Sequence, residues 1–100
     1  MIIQLSHKEI YLGYFKYVKK LIENLTSGDS LIIKEDGCAD SNGNLVLKFS
    51  RKFLNVIADK RDKGYVLKSA KVNYIVYWLE EGEMEEVKIV LPEVSFEDLG

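Results

Sequence analysis

The sequence predicts an α+β protein, a single compact two-layer domain in the order β-α-β-α-β-β with a long C-terminal β-hairpin. Three observations carry this. Residues 65 to 92 form two arms rich in β-branched and aromatic residues around an acidic turn. Residues 6 to 25 place their apolar side chains at helical spacing. A 47% hydrophobic content in 100 residues is enough to bury one core without disulfides or a structural metal.

Ile2, Ile3 and Leu5 suggest a short first strand. Ser6 and Glu9 then stand at capping-box spacing, each side chain able to satisfy an early backbone N–H of a helix. From Ile10 to Leu25 the apolar residues fall in one arc, with Lys16, Lys19, Lys20 and Glu23 opposite, and Gly28 supplies a left-handed stop. Ser30 to Lys34 reads as a central strand, being too apolar to have a wet face. The loop of turn formers from Asp36 to Asn44 follows. Asp40, Asn42 and Asn44 imitate the start of a calcium loop, but Leu45 and Arg51 stand where glycine and a bidentate glutamate are needed.

Leu45 to Lys60 decides the topology. As a helix it has Phe49, Phe53, Val56 and Ile57 on one face and a second apolar strip of Leu47, Leu54 and Ala58, the strip a twin chain would cover across a two-fold axis. As a strand, Leu45, Leu47 and Phe49 alternate with Val46, Lys48 and Ser50, leaving a shorter helix capped by Ser50 and the order β-α-β-β-α-β-β. The long helix is the preferred reading. Gly64 ends it, and the first hairpin arm starts at Tyr65 with a phase slip at Lys68-Ser69 that suggests a bulge. Val87, Ile89 and Leu91 mark the second arm. Pro92 is expected to end the pairing, giving a domain over 1–92 and a short acidic tail over 93–100, read as a frayed terminus or an added strand, or as a docking peptide.

Nothing points to an enzyme. Cys38 is alone, His7 is the one histidine, and there is no phosphate loop, metal-ligand cluster or acid–base pair at a meaningful spacing, so no cofactor, metal or small-molecule substrate is expected. No apolar run approaches the roughly 18 residues that cross a bilayer. A free cysteine suits a reducing cytoplasm, and one Gln with abundant Lys, Glu and Ile suits a heat-adapted source. The net charge of −2 conceals a division: residues 1–71 hold 13 Lys and Arg against 8 Asp and Glu, while 72–100 hold 1 against 8. Such asymmetry points to a basic binding face beside an acidic arm.

The element order, with Ile2 to Lys8, Leu31 to Gly37 and Tyr65 to Val72, resembles the Alba superfamily of small archaeal chromatin and RNA-associated proteins. The resemblance implies a homodimer formed through the second helix, with Leu47, Leu54 and Ala58 at the interface, binding DNA or RNA. Of the family's basic contacts, Lys8 and Lys48 find a cation here, and Arg51 and Lys52 extend that face. Asp36 stands where the family's turn arginine would be, and the usually basic hairpin tip is acidic: Glu80, Glu81, Glu83, Glu85 and Glu86. The expectation is therefore a small module binding nucleic acid weakly through Lys8, Lys48, Arg51 and Lys52. The alternative is an acidic adaptor or assembly protein whose glutamate tip binds a basic protein partner or imitates nucleic acid.

Overall fold

The computed structural model describes residues 1–79 and 81–99. Six antiparallel strands, β1 (Ile2–Gln4), β2 (Ser30–Ile33), β3 (Gly37–Ala39), β4 (Leu45–Lys48), β5 (Tyr65–Trp78) and β6 (Val87–Asp98), form one curled sheet in the order β1-β6-β5-β2-β3-β4. Two 3-10 turns (His7–Glu9 and Leu12–Lys16), the short α1 (Lys19–Ile22) and the longer α2 (Arg51–Asp62) complete the domain. This is the α+β class, but the order β-α-β-β-β-α-β-β is neither of the two that the sequence allows: the shorter α2 of the second is present, and Gly37–Ala39, read as part of a loop of turn formers, is an extra strand between β2 and β4.

The segment 45–50 is strand rather than helix. Cys38 pairs with Leu47 and Gly37 with Lys48, and the turn between β3 and β4 is held by Asp40, whose carboxylate accepts from the backbone N–H of Asn42 and of Asn44 at 3.0 Å each. Gly37 makes this approach possible. A Cβ there would collide with the Leu47 carbonyl oxygen. Ser50 then caps α2, its hydroxyl accepting from the Phe53 N–H at 3.2 Å. Leu47 consequently lies fully buried in its own core and is no dimer contact, while Leu54 and Ala58 are half-buried on α2.

The expected first helix is also broken. The Ser6–Glu9 capping box forms, with the Ser6 N–H donating to Glu9 Oε1 at 2.8 Å, but it starts a single 3-10 turn. Ile10 is extended and bridges Phe49, because β4 needs a partner on its outer edge. Flanking bonds run from the Tyr11 N–H to the Lys48 carbonyl at 2.9 Å and from the Ser50 N–H to the Glu9 carbonyl at 2.8 Å. The next turn, Leu12–Lys16, packs on both β4 and β6 and buries Phe15 between them. The apolar arc read from the sequence is real, but it wraps around the sheet.

The hairpin β5–β6 is the longest element. The bulge expected at Lys68 appears as a register shift between Leu67 and Ser69. A second shift, between Val72 and Tyr74, lies beside Pro92, where the missing N–H would otherwise interrupt the ladder. Pro92 therefore does not end the pairing, and the boundary expected there falls inside β6. Glu93 and Glu97, read as tail, are cross-strand partners of Lys71 at 3.4 Å and Lys68 at 3.5 Å. Lys88 ties the hairpin to the end of α1, donating to the carbonyls of Glu23 at 3.1 Å and Leu25 at 2.7 Å. Phe15, Ile22, Val46, Leu47, Phe53, Val72, Val90 and Val94 form the sealed centre of the core, each contributing about 1.5–3 kcal/mol through burial.

Two glycine substitutions separate the roles assigned here. Gly37→Ala should destabilise the protein by about 2 kcal/mol or more, since the obstacle is backbone. Gly13→Ala, whose Cβ would meet only the Tyr11 ring at 3.5 Å, should be neutral or stabilising by up to about 1 kcal/mol. Urea denaturation midpoints give the comparison.

Candidate nucleic-acid interface

The junction between Glu9–Tyr11 and Lys48–Ser50 gathers cations from two distant stretches of chain. Lys8 is exposed on the first 3-10 turn, which packs against α2. Lys48 closes β4, and Arg51 and Lys52 open α2, both exposed. The four predicted residues are thus brought to one end of the domain. Lys48 is half-buried and fixed, its Nζ 5.2 Å from the centre of the Tyr14 ring, while the Tyr14 hydroxyl donates to the Leu45 carbonyl at 3.2 Å. Among the described residues, Lys8, Arg51 and Lys52 form no ion pair.

The placement runs against the helix's own electrostatics. The first turn of α2 carries Arg51 and Lys52 with no acidic residue, so two cations sit where the helix dipole already concentrates positive charge. Each costs about 0.3–1 kcal/mol relative to a neutral or acidic residue. Free backbone N–H groups and unpaired cations together make a surface suited to an anion such as phosphate.

The acidic tip lies elsewhere, between β5 and β6. Glu81, Glu83, Glu85 and Glu86 are exposed, and Glu85 pairs with Lys19 at 3.4 Å. Glu80 lies outside the described residues. An apolar cleft of about 330 Å³ also forms, lined by His7, Leu12, Val76, Tyr77, Trp78 and Ile89. Sequence reading did not find it, because His7 and Leu12 approach the hairpin only once the first helix is broken. The exposed run Tyr74, Val76, Tyr77 and Trp78 was the available signal.

The remaining candidates have structural roles. Cys38 is fully buried in β3, and burial pushes its thiol from 9.0 up to about 12, which removes the thiolate a nucleophile needs. The Asp40 carboxylate is occupied by the β3–β4 turn. No described helix is long and apolar enough to cross a membrane. Comparison with protein-family models, curated proteins and solved structures gives no match.

The Cys38 environment has a measurable consequence. The folded protein keeps a proton that the unfolded chain releases above about pH 9, so stability should fall as pH rises from about 9 towards 12, by at most about 1.4 kcal/mol per pH unit. Urea titrations at several pH values should show this component in the native sequence and lose it in Cys38→Ala.

Proposed function

We propose that the protein binds nucleic acid through the phosphate backbone, using Lys8, Lys48, Arg51 and Lys52. The observation that carries this is the assembly of these cations, three of them without an ion-pair partner among the described residues, around the N-terminus of α2. Phosphate contacts position a duplex or a single strand without reading its bases, so the site serves DNA and RNA alike. Four such contacts give modest affinity. For duplex DNA the logarithm of affinity should fall with the logarithm of salt at a slope of roughly −3.6, about a hundredfold between 50 and 200 mM.

Charge reversal tests this without the usual ambiguity of an unfolded variant. Arg51→Glu with Lys52→Glu places carboxylates at the positive end of α2, which should raise stability by about 0.5–2 kcal/mol in total. The same pair should abolish binding of a labelled duplex in fluorescence anisotropy, whereas Lys20→Glu on α1 should leave binding nearly unchanged. Undiminished binding by the stable double variant would place the nucleic acid elsewhere.

The hairpin tip supports a second reading, an acidic docking element for a basic protein. Glu81, Glu83 and Glu86 project with Met84, which is 97% exposed, and among the described residues these three carboxylates form no ion pair. Under this reading, replacing the five tip glutamates by Gln should remove binding of a lysine-rich peptide measured by calorimetry at low salt. Equal heats from both proteins would dismiss it.

A further inference from the structure

We infer that the distal half of β5 is a homodimer interface, in which two copies pair edge to edge, antiparallel, about a two-fold axis at Val76. β2 covers β5 only at Ala70 and Lys71. Beyond it, the loop before β2 occupies the next carbonyls: the Gly28 N–H donates to Val72 and the Ser27 hydroxyl to Asn73, both at 2.7 Å. From Tyr74 to Trp78 the strand has β6 on one side and, among the described residues, no strand on the other. Along a free edge of this kind every second residue directs its N–H and C=O away from the sheet.

Natural edges of this length are blunted by lysine, proline or a bulge. This one carries none of them between Tyr74 and Leu79, and Tyr74, Tyr77 and Leu79 are each more than half exposed, with Val76 at 44% and Trp78 at 40%. Two features select a second copy as the occupant. The free edge is bounded at one end by the loop before β2 and at the other by the hairpin turn, so a strand laid against it must itself run out after about five residues. β5 does so when inverted. Second, the stretch is self-complementary: a two-fold axis at Val76 sets Tyr74 opposite the second copy's Trp78 and Ile75 opposite its Tyr77, with no charge facing a like charge.

The pairing would also bring each Tyr74 over the other copy's Trp78, at the mouth of the apolar cleft beside His7. Two copies would then share a continuous sheet, and each would keep its cationic cluster, formed by other elements. The dimer is therefore independent of nucleic-acid binding. It also differs from a dimer through α2, which Leu54 and Ala58 would make.

Sedimentation equilibrium and cysteine crosslinking decide the matter. The native protein should sediment at twice its 11.5 kDa chain mass, and Val76→Lys should be monomeric with an unchanged circular dichroism spectrum. Because Cys38 is buried, Val76→Cys offers one reactive thiol per chain, and mild oxidation should link it to its twin across the axis, whereas Leu54→Cys should stay unlinked. A monomer at all concentrations, a dimer that survives Val76→Lys, or crosslinking through Leu54→Cys in place of Val76→Cys would each overturn the assignment. A monomer whose edge takes up an extended peptide instead would do the same.

Discussion

The structure depends on a short piece of backbone pairing, Ile10 against Phe49. The bonds that flank it join Tyr11 to Lys48 and Ser50 to Glu9, so residues far apart in the chain lock into one antiparallel bridge. This bridge gives β4 a neighbour on its outer side, and a buried backbone without such a partner would be costly. Local preference yields to it on both sides. Residues 6 to 25 give up a continuous helix, and residues 45 to 48 give up the start of one.

The same bridge explains how the candidate site arises. Ser50 is both a donor in the bridge and the cap of α2, so the helix starts where the sheet closes. Arg51 and Lys52 therefore stand beside the turn carrying Lys8. Separation of the two ends of the charge distribution follows as well, since Glu97 and Glu93 of β6 are paired along the hairpin with Lys68 and Lys71 while the described tip glutamates are left exposed. Lys8, Arg51 and Lys52 keep no ion-pair partner among the described residues, in a chain whose net charge is slightly negative.

Much of the fold was legible, for identifiable reasons. The capping box at Ser6 and Glu9 and the bulge at Lys68 are local chemistry, and local chemistry survives in the sequence; Gly28 is left-handed as expected, but it turns the loop before β2 and stops no helix, since α1 already ends at Ile22. The stretch 45–50 was not, because its apolar residues satisfy a period of 3.6 and a period of 2 equally well. What decides it is Gly37, whose missing side chain lets β3 lie against Leu47; in the sequence that glycine reads merely as a turn former. Pro92 misled for a similar reason, since the bulge that accommodates it sits on the opposite strand at Val72 and Tyr74. Lys8, Lys48, Arg51 and Lys52 could be named from the sequence, but their convergence at one junction required the bridge. The cleft under His7 and Trp78 had no signal beyond exposed aromatics, as its walls come from segments that meet only after the first helix is interrupted.

The bridge itself is open to direct observation by nuclear magnetic resonance. With hydrogen bonds on either side, Ile10 and Phe49 form a non-hydrogen-bonded pair, in which the α-carbons approach to about 4.5 Å. The account predicts a strong Overhauser effect between the α-protons of Ile10 and Phe49, extended shifts over 45–48, and slow exchange of the Tyr11 and Ser50 amides. Helical shifts over 45–48 with no cross-peak between those α-protons would contradict it.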